Sequence, residues 1–384
     1  MKFKESFLKI LKILGLMFVL QFPSLRVLYK YTAASQHFLI YFYLLLIFAV
    51  YWIIFSKQIL SLLNNILNKR WITWVLAVVI ILINFIVYPI ADNLKLQGKG
   101  SDQDDAIIVT ASNLALGKNP YEAHTYFTGN PLSPGPGWII LNLPFALKGL
   151  YFLLTPFYII LLLLLLRKIT GGYFSGNLFI ILCISSFAFW ETMVVGSDMF
   201  AIGALFTLSI CAIFYNVNKR KVLLALSMLL FAFAATSRII FIYILPIMGI
   251  FLWRRTAFKY LVYLLVASAV TVLLHLIFYF WNPAVYTPLH LLAKGDRLLI
   301  SGFKDYAVIL TLAVLVFTYL KVNSDISSWI FFFALSLGVP LFFVSIGDLV
   351  NMRHFNFALW EGANYLLVIM PIYLAYITLS QKEF

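Results

Sequence analysis

The chain has 384 residues, 63% of them hydrophobic and only 11% charged, and a formal net charge of +14. Such a composition cannot clothe a soluble domain in polar surface, and its apolar runs of ~20 continuous residues exclude the alternating pattern of a β-barrel. In a soluble protein the positive charge would suggest nucleic acid. Here it sits in short clusters between apolar runs, Lys69-Arg70, Arg167-Lys168, Lys219-Arg220-Lys221 and Arg254-Arg255. That is the pattern of cytoplasmic connections in a membrane protein, and no nucleic-acid partner is expected.

The N-terminal stretch MKFKESFLKILKILGLMFVLQF is interrupted by Lys9 and Lys12 and lacks a small-residue cleavage site. It reads as the first membrane helix or an interfacial one, and not as a signal peptide. With the basic clusters in the cytoplasm, spans are expected at 7–24, 37–55, 71–91, 151–167, 174–190, 199–216, 222–236, 239–253, 257–280, 305–320, 327–346 and 362–379. The chain is thus an all-α polytopic membrane protein of about twelve spans (11–13), a single integral membrane domain over 1–384 with both termini inside. Cys183 and Cys211 each lie within an apolar run and read as small buried side chains, not as a disulfide or metal site.

Two outer loops are expected to be the main ones, 92–137 and 281–304. In the first, DDAIIVTASNLAL has apolar residues at helical spacing, so Asp104 and Asp105 open a surface helix, where carboxylates suit the dipole. Asp102 precedes that helix, and Asp104 is expected in a solvated outer loop. Gly117 and Pro120 stop the helix, and PLSPGPGW makes a rigid turn before the chain re-enters. The run 138–150, broken by Pro144 and Lys148-Gly149, reads as a half-helix, with a kinked full span as the alternative. The spans 222–236 and 239–253 are short and meet at ATSRII, which sets Ser237 and Arg238 below the outer surface. The segment 281–304, Pro-interrupted and aromatic, could cover a cleft.

Almost every unusual polar residue falls outside: Asp102, Asp104, Asp105, Glu122, His124, Glu191, Asp198, Arg238, His290, Asp296, Arg297, Asp348, Arg353, His354 and Glu361. A chemical site is therefore expected on that face. A carboxylate placed at a membrane surface and partly desolvated suits a general base. A guanidinium at the mouth of the bundle suits a phosphate, which points to Arg238, with Arg353 supplied by the outer segment 347–362. Glu191 and Asp198 flank TMVVGS as a second wall for acceptor hydroxyls or a cation, and His354 joins the substrate-binding set. Tyr121, Trp138, Trp281 and Trp360 read as interface aromatics, with stacking on sugar faces, for Tyr121 among others, as the alternative. Walker A, G-x-G-x-x-G and H-E-x-x-H patterns are absent, so no nucleotide cradle or zinc site is marked. No cofactor is expected, though a divalent cation is compatible with the acidic residues.

An acidic residue in the first large outer loop, then AxxLALGKNPY, a Gly-Pro turn and re-entry, resemble the GT-C superfamily of membrane glycosyltransferases. The likeness is nearest to polyprenyl-phosphate-mannose-dependent mannosyltransferases and covers about 100–260. Counting back from Ala111 lays the family's catalytic aspartate on Asp104, with Asp105 second. The family's outer acidic turn falls on Glu191 to Asp198, and its basic residue between two short helices falls on Arg238, where lysine followed by proline is commoner. The resemblance implies inverting transfer of a hexose from a polyprenyl-phosphate donor to a hydroxyl of an envelope glycan or glycolipid, outside the cell membrane. Asp104 would act as base, and Arg238 would stabilise the departing phosphate. The rival readings are a transporter or lipid flippase, or an envelope-polysaccharide polymerase or ligase.

Overall fold

The computed structural model describes residues 2–32, 37–97, 101–126, 128–256, 259–300 and 302–383. Residues 98–100 and 127 of the expected outer segment, 257–258 at the start of one expected span and 301 of the second outer segment lie outside that set.

Each expected span has a helical counterpart. The chain begins with α1 (Lys2–Leu16), which passes through a π-helical turn, Met17–Gln21, into α2 (Phe22–Tyr31). There follow α3 (His37–Ile54), α4 (Lys57–Leu67), α5 (Arg70–Asn93) with a 3-10 extension over Leu94–Gln97, α6 (Asp105–Ala115) and α7 (Pro136–Leu147). Next come α8 (Leu154–Thr170), α9 (Phe174–Ile184), α10 (Phe187–Val194), α11 (Met199–Asn216) and α12 (Lys221–Ala235). The chain closes with α13 (Ile244–Thr256), α14 (Leu261–Trp281), α15 (His290–Leu298), α16 (Phe303–Lys321), α17 (Ile326–Gly347), α18 (Ala363–Leu366) and α19 (Ile369–Leu379). Among the described residues no strand forms, only one bridge between His124 and Pro131.

Nine helical segments among the described residues are long and apolar enough to cross a membrane, and α9 with α10 makes a tenth if that pair, bent by 83°, counts as one span. Two further expected spans correspond to shorter apolar helices, α12 and the segment Ala363–Leu379. The protein is an all-α polytopic membrane protein. The run 138–150 forms the 12-residue α7, with Pro136 in its first turn and Pro144 within it. It ends at Lys148, before Gly149 at φ +64°. The amphipathic α4, capped by the Ser56 side chain, was not expected from sequence.

The centre is α11. Of its 18 residues, 13 are buried, because it packs against α8, α12 and α19 with small residues at the crossings. A Cβ on Gly203 would lie 2.1 Å from the carbonyl oxygen of Val368, so glycine sets that approach.

The two ends of α11 differ in chemistry. At its C-terminal end, Lys168 and Lys219 lie over the ring of Tyr215 and Arg255 over that of Phe214. Arg167 covers Tyr173, whose amide donates to Asn68, while Asn177 donates to the carbonyl of Lys69. All four basic clusters thus gather at one end. Asp325 lies near Arg255 at this end, and the acidic groups named above from the outer segments lie at the opposite one.

Candidate active site

The acidic end is assembled from three turns and the last turn of α5. Asp104 opens α6 through its carbonyl, which accepts from the amides of Ile107 and Ile108 at 3.0 Å. Its side chain does not cap the helix but turns inward. There Tyr88 donates to Asp104 Oδ2 at 2.6 Å, and Lys95 Nζ stands 3.5 Å from the same oxygen. Oδ1 is buried and has no hydrogen-bond partner. The expectation of a solvated loop is corrected here: Asp104 and Asp105 are each only 1% exposed. The chain folds back over them, because Asp105 Oδ2 accepts from the amide of Tyr126 and Asp102 Oδ2 accepts from both the amide and the hydroxyl of Thr128.

The three aspartates consequently have different chemistries. Burial, reinforced by the neighbouring Asp92 carboxyl, raises the proton affinity of Asp104 to a pKa of about 7, against the opposing effects of the Tyr88 hydrogen bond and the Lys95 charge. For Asp102 burial also acts upward, but the hydrogen bonds from Thr128 and Thr125 outweigh it and hold the carboxyl below its ordinary value. Asp105 has both oxygens occupied, Oδ1 by Lys95 at 2.6 Å and Oδ2 by Tyr126. Of the pair 104–105, only Asp104 presents an oxygen without a partner.

The second turn is GSD, 196–198. Gly196 sits at φ +66°, and a Cβ there would come 2.7 Å from Asp104 Cβ and 2.9 Å from the Tyr88 ring. Glycine is required on both counts, conformation and space. Tyr151 bonds the carbonyl of Gly196 at 3.0 Å and stacks on Tyr88, which closes the gap between this turn and α5.

The third turn is the break after α12. Arg238 is extended (φ −144°, ψ 144°) between α12 and a 3-10 turn, Ile239–Tyr243, and is 4% exposed. Its Nη2 donates to both oxygens of Asp198 at 2.8 and 2.9 Å, and Trp138 Nε1 donates to Oδ2 of the same aspartate at 2.7 Å. Arg238 and Asp198, expected as separate donor- and substrate-binding residues, are thus each other's partners in this structure. Arg238 Nε, Ser237 Oγ and His275 Nε2 remain buried without partners.

The Gly-Pro turn gains its reason from this break. The Gly135 amide donates to the Ser237 carbonyl at 3.0 Å, and a Cβ on Gly135 would lie 1.5 Å from the Thr236 carbonyl oxygen. One on Gly137 would lie 2.3 Å from Thr236 Oγ1. The stretch PGPGW is therefore the surface on which the 236–238 break rests.

Other expected residues fall elsewhere. Tyr121, Trp138 and Trp360 are core residues at 1% exposure or less, not interface aromatics, while Trp281 is exposed. Tyr121 bonds the Pro134 carbonyl at 2.9 Å and meets Tyr286 edge-on. Glu191 pairs with Arg26 at 3.2 Å and Lys30 at 3.4 Å on α2, and not with the Asp198 group. Arg353 pairs with Glu361 at 3.1 Å and approaches Asp348 at 3.5 Å. Tyr365 lies within electrostatic reach of Arg238 and of Asp348 and Glu361, the two partners of Arg353. His354 is exposed, with φ +49°, and no described contact brings it to Asp104. Residues outside the expected set complete the cluster, namely Tyr88, Asp92, Lys95, Tyr151, Ser237 and His275. Among the described residues no group of three or more His, Cys, Asp or Glu side chains is placed to hold a metal ion.

No protein-family model matches the chain, and neither does any curated protein or solved structure.

Proposed function

We propose that the protein is an inverting glycosyltransferase of the GT-C type, with about twelve spans and a helical first outer segment. It would move a hexose, mannose being the first candidate, from a polyprenyl-phosphate donor to a hydroxyl of an envelope glycan or glycolipid. One observation carries the reading: Asp104 is a buried carboxyl with one oxygen held and the other unpartnered, and Tyr151 lies within electrostatic reach of both it and the buried Arg238–Asp198 pair. By the positive-inside rule the basic end would face the cytoplasm and the site the extracytoplasmic side of a cell membrane, where a sugar donor would have to arrive on a lipid.

In the reaction, Asp104 Oδ1 takes the proton of the acceptor hydroxyl as its oxygen attacks the anomeric carbon. The bond to the polyprenyl phosphate breaks, and the electron pair leaves with the phosphate. One carboxylate suffices because the phosphate is a good leaving group, unlike the alkoxide of a glycosidase. Arg238 stabilises the leaving charge, joined by Ser237 and His275, whose free buried polar atoms flank the same turn. The Arg238–Asp198 pair must loosen to admit the phosphate, so Asp198 keeps the arginine oriented and electrically balanced until donor arrives.

The buried Arg238–Asp198 pair is also the kind of intramembrane charge found on transport pathways, which supports the transporter or flippase reading. Incubation of the purified protein with a panel of polyprenyl-phosphate sugars and membrane glycolipid acceptors separates the two. Consumption of one donor by wild type and not by Asp104→Asn is expected. Movement of intact lipid without consumption of any donor would establish transport instead.

A further inference from the structure

Tyr88, Asp92 and Lys95 stand at i, i+4 and i+7 on the end of α5 and its 3-10 extension, and so line one face of it. All three meet at the acidic turn. Tyr88 donates to Asp104 Oδ2 at 2.6 Å. Lys95 Nζ lies 2.6 Å from Asp92 Oδ1, 2.6 Å from Asp105 Oδ1 and 3.5 Å from Asp104 Oδ2. One ammonium is thus shared by three carboxylates, and Asp92 completes its shell from the helix side.

We propose that this face of α5 is the positioning device of the base: Tyr88 and Lys95 fix Asp104 Oδ2 so that Oδ1 alone meets the reacting hydroxyl. The inference rests on the reading of Asp104 as general base. Its physical content is threefold. A carboxylate has two equivalent oxygens and a freely turning Cβ–Cγ bond, so an unheld group would present either oxygen. A donor on Oδ2 removes that freedom before substrate arrives, which lowers the entropy lost in reaching the reactive geometry. Lys95 and Tyr88 also stabilise the ionised form, in opposition to burial. Without them the carboxyl would hold its proton too tightly to serve as a base near neutral pH.

The groups that face Asp104 are Tyr88, Asp92 and Lys95 from α5 and its extension, Asp105 from α6, and Tyr151 from the turn before α8. Beyond Gly196 lies Asp198, neutralised by Arg238. The only cation next to Asp104 among these is Lys95. Asp104 is 1% exposed with Oδ1 unpartnered, and burial, reinforced by the neighbouring Asp92 carboxyl, favours its protonated form.

The test reads the proton on Asp104 directly. Full-length protein in liposomes is titrated by infrared difference spectroscopy, wild type minus Asp104→Asn, following the protonated carboxyl band. The same titration is made for Tyr88→Phe, Lys95→Met and Lys95→Arg. The wild-type midpoint is expected near 7. Tyr88→Phe and Lys95→Met should each raise it by about one pH unit, the worth of a hydrogen bond or contact to a charged group. Lys95→Arg should stay near wild type. Should one variant fail to fold, the other two still carry the test. In the donor assay the acid limb of kcat should follow the same midpoints while KM for the donor stays unchanged. Unmoved midpoints in both variants, with Asp104→Asn inactive, overturn the positioning role and leave the base intact. Full turnover by Asp104→Asn overturns the base reading itself, whatever the titration gives.

Discussion

The two ends of α11 carry charge in opposite ways. At the basic end, Lys219 stands 3.3 Å from the centre of the Tyr215 ring and Arg255 is 3.7 Å from that of Phe214, and neither contact involves a carboxylate. At the acidic end the charges are buried and joined in specific pairs, Arg238 with Asp198 and Lys95 with Asp105. Burial of a charge is costly unless hydrogen bonds offset it, so the acidic end constrains geometry and the basic end does not. On the proposed reading, charge at one end records how the chain sits in a membrane, and at the other it builds the site of the reaction.

The sharpest way to break this contrast is Asp104→Asn. It keeps the shape and the Tyr88 contact but removes the proton acceptor, and transfer should fall by roughly 10²-fold or more, the usual scale for a lost general base. Because Asp104 is buried, folding must be followed in the same sample by the melting temperature of the detergent-solubilised protein. In wild type the rate should rise as pH passes about 7, since the carboxyl is protonated below that value and ionised above it. A rate flat from pH 5 to 9 would argue against Asp104 as base. Asp105→Asn should cost less, because both its oxygens already have partners.

Arg238→Ala comes next. It leaves Asp198 buried and uncompensated, so donor turnover should fall by about ten-fold to a hundred-fold, with part of the loss arising from the orphaned carboxylate. The double variant with Asp198→Asn separates the two effects. It should restore the melting temperature but not the use of donor. Arg238→Lys keeps the charge without the fork and should retain part of the activity. A Gly135→Ala variant tests the scaffold alone. Its methyl would be driven into the Thr236 carbonyl, and overpacking of that kind costs about 1–3 kcal/mol, read as a lower melting temperature.

Much of the fold was legible in sequence because apolar runs and helices share one length scale. All twelve expected segments coincide with helices. What escaped detection lay where a helix outruns its apolar run. The expected span 71–91 stopped short of Asp92 and Lys95, although helical structure continues to Gln97, so the spacing of Tyr88, Asp92 and Lys95 was divided between a span and a loop. The span 7–24 likewise ended before Arg26 and Lys30, the partners of Glu191. Local pattern set Asp104 and Asp105 at the start of a helix, and the family resemblance singled out Asp104. Its burial was not legible, since that depends on Tyr88, Tyr126 and Gly196, which come from separate turns. Nor could spacing reveal that Arg238 and Asp198, 40 positions apart, pair with each other, or that Gly135 is small because Thr236 lies against it.

The smallest effect is expected at the basic end, and it sharpens the comparison most simply. Lys118 and Arg220 are both exposed, one at each end of the bundle. Single cysteines there, in a background with Cys183 and Cys211 replaced by alanine, report sidedness: a membrane-impermeant reagent added outside whole cells should label position 118 and not 220. Replacement of Lys168 and Lys219 by glutamine removes two cations from the Tyr215 ring, contacts worth about 0.5–1 kcal/mol each at an exposed site. With the other basic clusters intact, the labelling pattern should persist, and donor turnover should change by less than about two-fold, because nothing in the acidic cluster depends on those side chains. A large loss of turnover with unchanged labelling would mean that the two ends are coupled through α11. In that event the basic clusters would belong to the catalytic machinery as well as to the topology.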